Sequence, residues 1–139
     1  MDYFYLFSLI SATFTGATMG SFLLVTLLYS ALLKNQKNLT DSIYIYRRLY
    51  RLNSVLCLLG GICAALTNNA VPAAMLAILA ASYVFNHAHL LKGIIKSCDE
   101  HYQLVKLNTY RSLSNIQNLM HVAQFFGAGY VIYLLAIDA

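Results

Sequence analysis

Apolar positions along this chain come in long blocks, and charge interrupts them in only a few places. Residues 3–33, 52–91 and 112–137 contain no Asp, Glu, Lys or Arg. A helix that crosses a bilayer needs about 20 apolar residues. The first and last blocks each suit one crossing. The middle block suits two, and it is broken at Thr67-Asn68-Asn69-Ala70-Val71-Pro72. Asn tolerates turn conformations, and Pro at a helix start gives up no needed N–H. The pattern predicts helices over about 4–33, 49–66, 72–91 and 113–137, with loops at 34–48 and 92–112. Gly60 and Gly61 mark a close helix contact or a local bend. The fold class is all-α: an up-down, four-helix transmembrane bundle forming a single membrane domain. A soluble four-helix bundle is the competing fold, but its helices need polar outer faces. The first two helices show almost none.

Composition and charge sharpen this picture. The 139 residues are 60% apolar and 10% charged, against about 25% charged in average globular chains. All nine Lys and Arg fall in two clusters: Lys34, Lys37, Arg47, Arg48 and Arg51, then Lys92, Lys96, Lys106 and Arg111. Basic loops stay on the cytoplasmic side, which makes the topology N-out and C-out. Nucleic acid needs one continuous basic face, so no nucleic-acid partner is expected. Met1 to Phe4 carry Asp2 and no Lys or Arg; a secretory signal opens with positive charge. The first apolar run is therefore expected to be a retained span. Small size and the lack of long tails suggest a bacterial inner membrane. Asn38-Leu39-Thr40 matches a glycosylation acceptor, but on the cytoplasmic side it is expected unmodified. Cys57, Cys63 and Cys98 form neither a disulfide framework nor a CxxC motif.

The last span carries the densest polar pattern. Ser114, Gln117, His121, Gln124 and Ala128 share one stripe, flanked by Asn118. At about 1.5 Å per residue, His121 sits about 12 Å inside the span. Topology brings Asn53, Asn86, His87, Asn118 and His121 to the cytoplasmic half. With Gln124 they make a candidate ligand or cofactor pocket. An ionisable residue inside a membrane helix is a functional hypothesis by default. Neutral imidazole can ligate haem iron, donate to a quinone carbonyl or relay protons. The plainer alternative is a buried, satisfied histidine among Asn and Gln that tie helices together. His87 and His89 are two apart and face apart on a helix, with His89 at the solvated interface. No metal site is expected; Cys98, Asp99 and His101 form one only if their loop folds back. No nucleophile–base pair stands out, so no catalytic residue is assigned. The spans lack carboxylates, which argues against a proton-coupled transporter.

Two surface patterns remain. Arg47, Arg48 and Arg51 read as topology anchors that contact anionic lipid headgroups. On the first helix, Ser8, Ser11, Thr15, Thr18, Phe22, Thr26 and Tyr29 share a face, beside a small-xxx-small series of Ala12, Gly16 and Gly20. Such a series lets helix backbones approach closely in lipid. The approaching helix is either helix two or four of the same chain, or a second copy.

The Gly-containing first span, the Arg48-Leu49-Tyr50-Arg51-Leu52-Asn53 start of span two and Leu119-Met120-His121 in the last span resemble small four-helix membrane proteins of the anthrone-oxygenase-like group. Neighbouring uncharacterised four-helix families are similar too. That group tends to carry a Trp before the last-span His and an Arg after it. Here Val122, Ala123 and Gln124 follow, and the chain has no Trp. What the resemblance implies narrows to a role for His121.

The leading functional expectation is an accessory or assembly component of a membrane complex, in contact with the lipid bilayer, other membrane subunits or a second copy. The alternative is a membrane redox or oxygenase-like enzyme holding haem, quinone or a lipophilic aromatic near His121. A small channel or carrier is the third, and it requires oligomerisation to enclose a path.

Overall fold

In lipid every backbone polar group must be satisfied within the chain, which leaves helices for runs as apolar as these. The computed structural model describes residues 3–32, 39–99 and 104–137. It contains α1 (Tyr3–Leu32), α2 (Leu39–Leu66), α3 (Ala70–Phe85), a π-helical segment (Asn86–Leu90), α4 (Leu91–Asp99) and α5 (Leu104–Ile137). Stretches long and apolar enough to cross a membrane cover Tyr3–Leu24, Tyr44–Leu66, Ala70–Lys96 and Arg111–Ile137. The chain is a multi-pass membrane protein.

The expected four spans are present, but the helix boundaries are corrected. α2 begins at Leu39 instead of 49, and α5 at Leu104 instead of 113. The third span runs on through the π turn and α4 to Asp99. Most of the expected loops 34–48 and 92–112 is therefore helix. Charge ends a span, not a helix: Lys and Arg are good helix formers and simply turn to water. The remaining connections, and the acceptor Asn38, lie outside the described residues.

The Asn-rich turn ends α2 by a Schellman motif. Asn68 N–H donates to Ala65 O at 3.1 Å and Asn69 N–H to Ala64 O at 3.1 Å. Asn68 holds the left-handed backbone this requires, with φ of 59°, a conformation Asn tolerates better than most residues. α3 then starts two residues before Pro72, which keeps that proline inside the first turn.

Neighbouring helices run antiparallel. Ser11 Oγ donates to Gly60 O at 2.8 Å, and Ser21 Oγ to Asn53 Oδ1 at 2.8 Å, which fixes α1 against α2. A Cβ on Gly60 would meet Ser11 O, Phe14 Cβ and Leu76 Cδ1, each at 3.5 Å, so this approach leaves room for a methyl group and nothing larger. Gly127 sets another, with Leu79 Cδ2 3.2 Å from where its Cβ would be. The close neighbours are α1–α2, α2–α3, α3–α5 and α5–α1. That ring leaves α2 and α5 facing each other across the centre.

What faces in and out settles the solvent. Ser11, Thr15, Thr18, Asn53 and Asn86 are fully buried, while Leu119 is 71%, Ile78 69% and Phe126 69% exposed. Thr15 and Thr18 return their hydroxyl protons to carbonyls one turn back, at 2.8 and 2.7 Å. A soluble bundle has the opposite arrangement. Toward the Asn-rich turn the core is apolar, built on Ala64, Leu76, Ala128, Val131 and Leu135. Toward the basic ends it becomes polar.

Candidate functional site

The polar half of the core forms because three helices each carry a stripe spaced by three and four. α2 contributes Tyr46, Tyr50, Asn53 and Cys57, and α5 contributes Gln117, His121 and Gln124. α3 and the π turn contribute Ser82, Tyr83 and Asn86. All are buried or half-buried. The antiparallel registers put them at one level, opposite Ser21 and Phe22 of α1.

At the centre, Tyr50 Oη lies 2.7 Å from His121 Nε2. Gln117 Nε2 donates to the same hydroxyl oxygen. Tyr50 Oη thus joins Gln117 to His121 through one hydroxyl. Since α2 and α5 are diagonal, this bond braces the bundle through its middle. Aromatic rings close around it. Tyr46 stacks on His121 at 5.6 Å between centroids, and Phe22 meets it edge-on at 4.9 Å. Tyr50 lies 6.4 Å from Tyr83.

A second chain of bonds links α5 to the third span. Gln124 Nε2 donates to Ser82 Oγ at 2.8 Å, and Ser82 Oγ to Leu79 O at 2.7 Å. Asn86 Nδ2 reaches Gln124 Oε1 at 3.4 Å. Two fully buried atoms have no hydrogen-bond partner among the described residues: Asn53 Nδ2 and Asn86 Oδ1. The Tyr83 hydroxyl shares the Asn53 end of the site with the Cys57 thiol.

Of the six residues expected to share a pocket, His121, Asn86, Asn53 and Gln124 come together here. Asn118 does not: it is exposed on the lipid-facing side of α5. One position away from Gln117 is about 100° around a helix, enough to leave the stripe. His87 also stays out. It is half-buried on the outer surface, where Arg51 Nε donates to its Nε2 at 3.3 Å. Arg47, Arg48 and Arg51 are all exposed; Arg48 lies over the Tyr44 ring, 4.4 Å from its centroid, and bonds its hydroxyl. Ala12 packs against the core. Gly16 and Gly20 do not pack inward, since a Cβ on either would meet nothing within 4 Å. The side chains of Thr26, Tyr29 and Cys98, and all of His101, lie outside the described residues.

Tyr50, Tyr46, Tyr83, Ser82 and Ser21 were missing from the expected site. The signal was available: Tyr46, Tyr50, Asn53, Cys57, Gly60 and Ala64 are spaced four, three, four, three and four. A helix starting at 49 hides the first of them.

No family model, no curated protein and no solved structure matches this chain. Its chemistry is read from its own residues. Haem does not fit the site as built. An iron takes an imidazole nitrogen end-on, but Nε2 is held by Tyr50, and Tyr46 and Phe22 cover the ring. Among the described residues no three of His, Cys, Asp and Glu gather as metal ligands. The arrangement holds helices in register and leaves one fully buried acceptor, Asn86 Oδ1, open to a small polar group.

Proposed function

We propose that this protein is an accessory or assembly subunit of a larger membrane complex, and that it acts by binding a partner helix on the outer face of α1. One observation carries this reading. The hydroxyls and amides inside the bundle are almost all engaged in bonds within the chain, while Gly16 and Gly20 present open backbone to the outside. Small residues on a lipid-facing surface favour close helix packing. The charge asymmetry supports a cytoplasmic position for the basic ends, and we place the protein in a bacterial inner membrane.

Blue-native electrophoresis of the tagged chain, extracted in mild detergent, tests this. Migration with another polypeptide supports it. Gly16→Leu with Gly20→Leu releases the partner and leaves the bundle's own melting unchanged, because no described residue lies within 4 Å of a Cβ at those positions. A chain that migrates alone in both forms overturns the proposal.

Asn86 Oδ1, fully buried with no partner among the described residues, favours a second reading: a quinone or similar lipophilic aromatic held near His121, with redox or oxygenase-like chemistry. His121→Ala then loses a co-purifying lipid-soluble ligand while still inserting. An unchanged ligand profile removes this reading.

A further inference from the structure

We propose that the outer groove between α2 and the third span is a binding site for one anionic phospholipid, whose phosphate sits among Arg47, Arg51 and Lys92 and whose acyl chain lies along the apolar surface below them. The site differs from the α1 face and stands independently of it.

The cations come from two helices. Arg51 reaches across the groove and donates from Nε to His87 Nε2 at 3.3 Å, which fixes the plane of its guanidinium and leaves its terminal nitrogens as donors. Arg47 lies one turn toward the basic end on the same helix, and Lys92 one turn beyond His87 on the other. Both act electrostatically on the His87 imidazole, as does Arg51, so all three cations belong to the same end of the groove. Arg47, Arg51 and Lys92 are all exposed. Like charges four apart on a helix destabilise it, and an anion between them removes that repulsion. Acidic residues cannot neutralise this end: Asp41, Asp99 and Glu100 are the three in its segments, against nine Lys and Arg, a surplus of six.

A lipid fits better than a free ion because of what lies deeper. One turn further in, Val55 follows Arg51 on α2 and Val84 precedes His87 on α3, and both are more than half exposed. Ala81, one turn below Val84, is exposed too and leaves a shallow lane. Cationic pockets above apolar lanes between spans suit an anionic headgroup with its chain. The π turn at 86–90 helps to make this geometry. It keeps Asn86 in the core while His87 remains at the groove, with Leu91 N–H bonded back to Asn86 O.

Native mass spectrometry of the purified full chain, titrated with dioleoyl phosphatidylglycerol or phosphatidylcholine, provides the test. One phosphatidylglycerol is expected to bind in preference to phosphatidylcholine. Arg51→Gln with Lys92→Gln weakens it by about fivefold per charge removed, while Arg111→Gln, on α5, leaves it unchanged. Ala81→Leu fills the lane and also weakens it, without touching any charge or the core. Equal binding of the two lipids, or no loss in the double variant, overturns the proposal. So does millimolar inorganic phosphate displacing the lipid while Ala81→Leu has no effect, since that describes a free-anion site.

Discussion

Tyr50 is the residue on which the interior depends most. Its one hydroxyl serves His121 and Gln117 at once. Tyr50→Phe keeps the ring and its stacking but leaves the buried His121 Nε2 and Gln117 Nε2 without that partner. Unsatisfied buried groups cost about 1–3 kcal/mol each, although single bonds in membrane proteins average about 0.6 kcal/mol. We expect a loss of about 1–3 kcal/mol in equilibrium unfolding in mixed detergent. In a double-mutant cycle with His121→Phe the two losses should be clearly less than additive. Full additivity would show that the bond contributes nothing. Asn68 gives the backbone counterpart. Its φ of 59° disfavours a β-branched residue, and left-handed backbone costs an L residue about 1–2 kcal/mol. Asn68→Gly is expected to melt at or above the parent temperature and Asn68→Val below it.

At the scale of elements, the spans and the Asn-rich turn were legible because lipid imposes a length and turns impose a residue type. The helix starts were not. Arg47 and Arg48 look like a loop if charge is taken to end a helix, yet they ride on α2. That misreading also concealed Tyr46 and the stripe it opens. His121, Gln124, Asn53 and Asn86 could be placed because polar groups in lipid must face protein. Asn118 misled because flanking a stripe is not sharing it, and His87 because depth alone says nothing about direction. Gly60 was legible as a contact, and the contact proves to be with α1 through Ser11. Gly60→Leu therefore pushes α1 and α2 apart and breaks that bond. Overpacking of this kind costs about 1–3 kcal/mol, so the variant should melt below the parent in detergent. Gly16→Leu adds the same side chain where nothing is met, and should melt with the parent. Equal melting of the two variants would show that Gly60 does not set the α1–α2 distance.

At the scale of the molecule, the diagonal brace and its collar of rings occupy the axis of the bundle. A small channel or carrier built on one copy would need that axis, so any conducted path would have to run between copies. The brace also ties the last span to the second, across everything made between them. A chain carrying residues 1–103 and a separate chain carrying 104–139 should reassemble when co-expressed. The second alone should integrate poorly and be degraded faster, as pulse-chase labelling would show. Equal lifetimes with and without the partner would contradict this.

The stripe of amides and imidazole on α5 has a bearing on how the protein is born. The span with the densest run of amides and imidazole follows the other three out of the ribosome, and those groups find no partner in lipid. Those earlier spans must already be standing as a cradle, with Tyr50, Ser82 and Asn86 waiting in it. Biogenesis then becomes a sequence with a latch at its end: until α5 arrives, quality control sees open amides, and afterwards it sees a closed surface of leucine and phenylalanine.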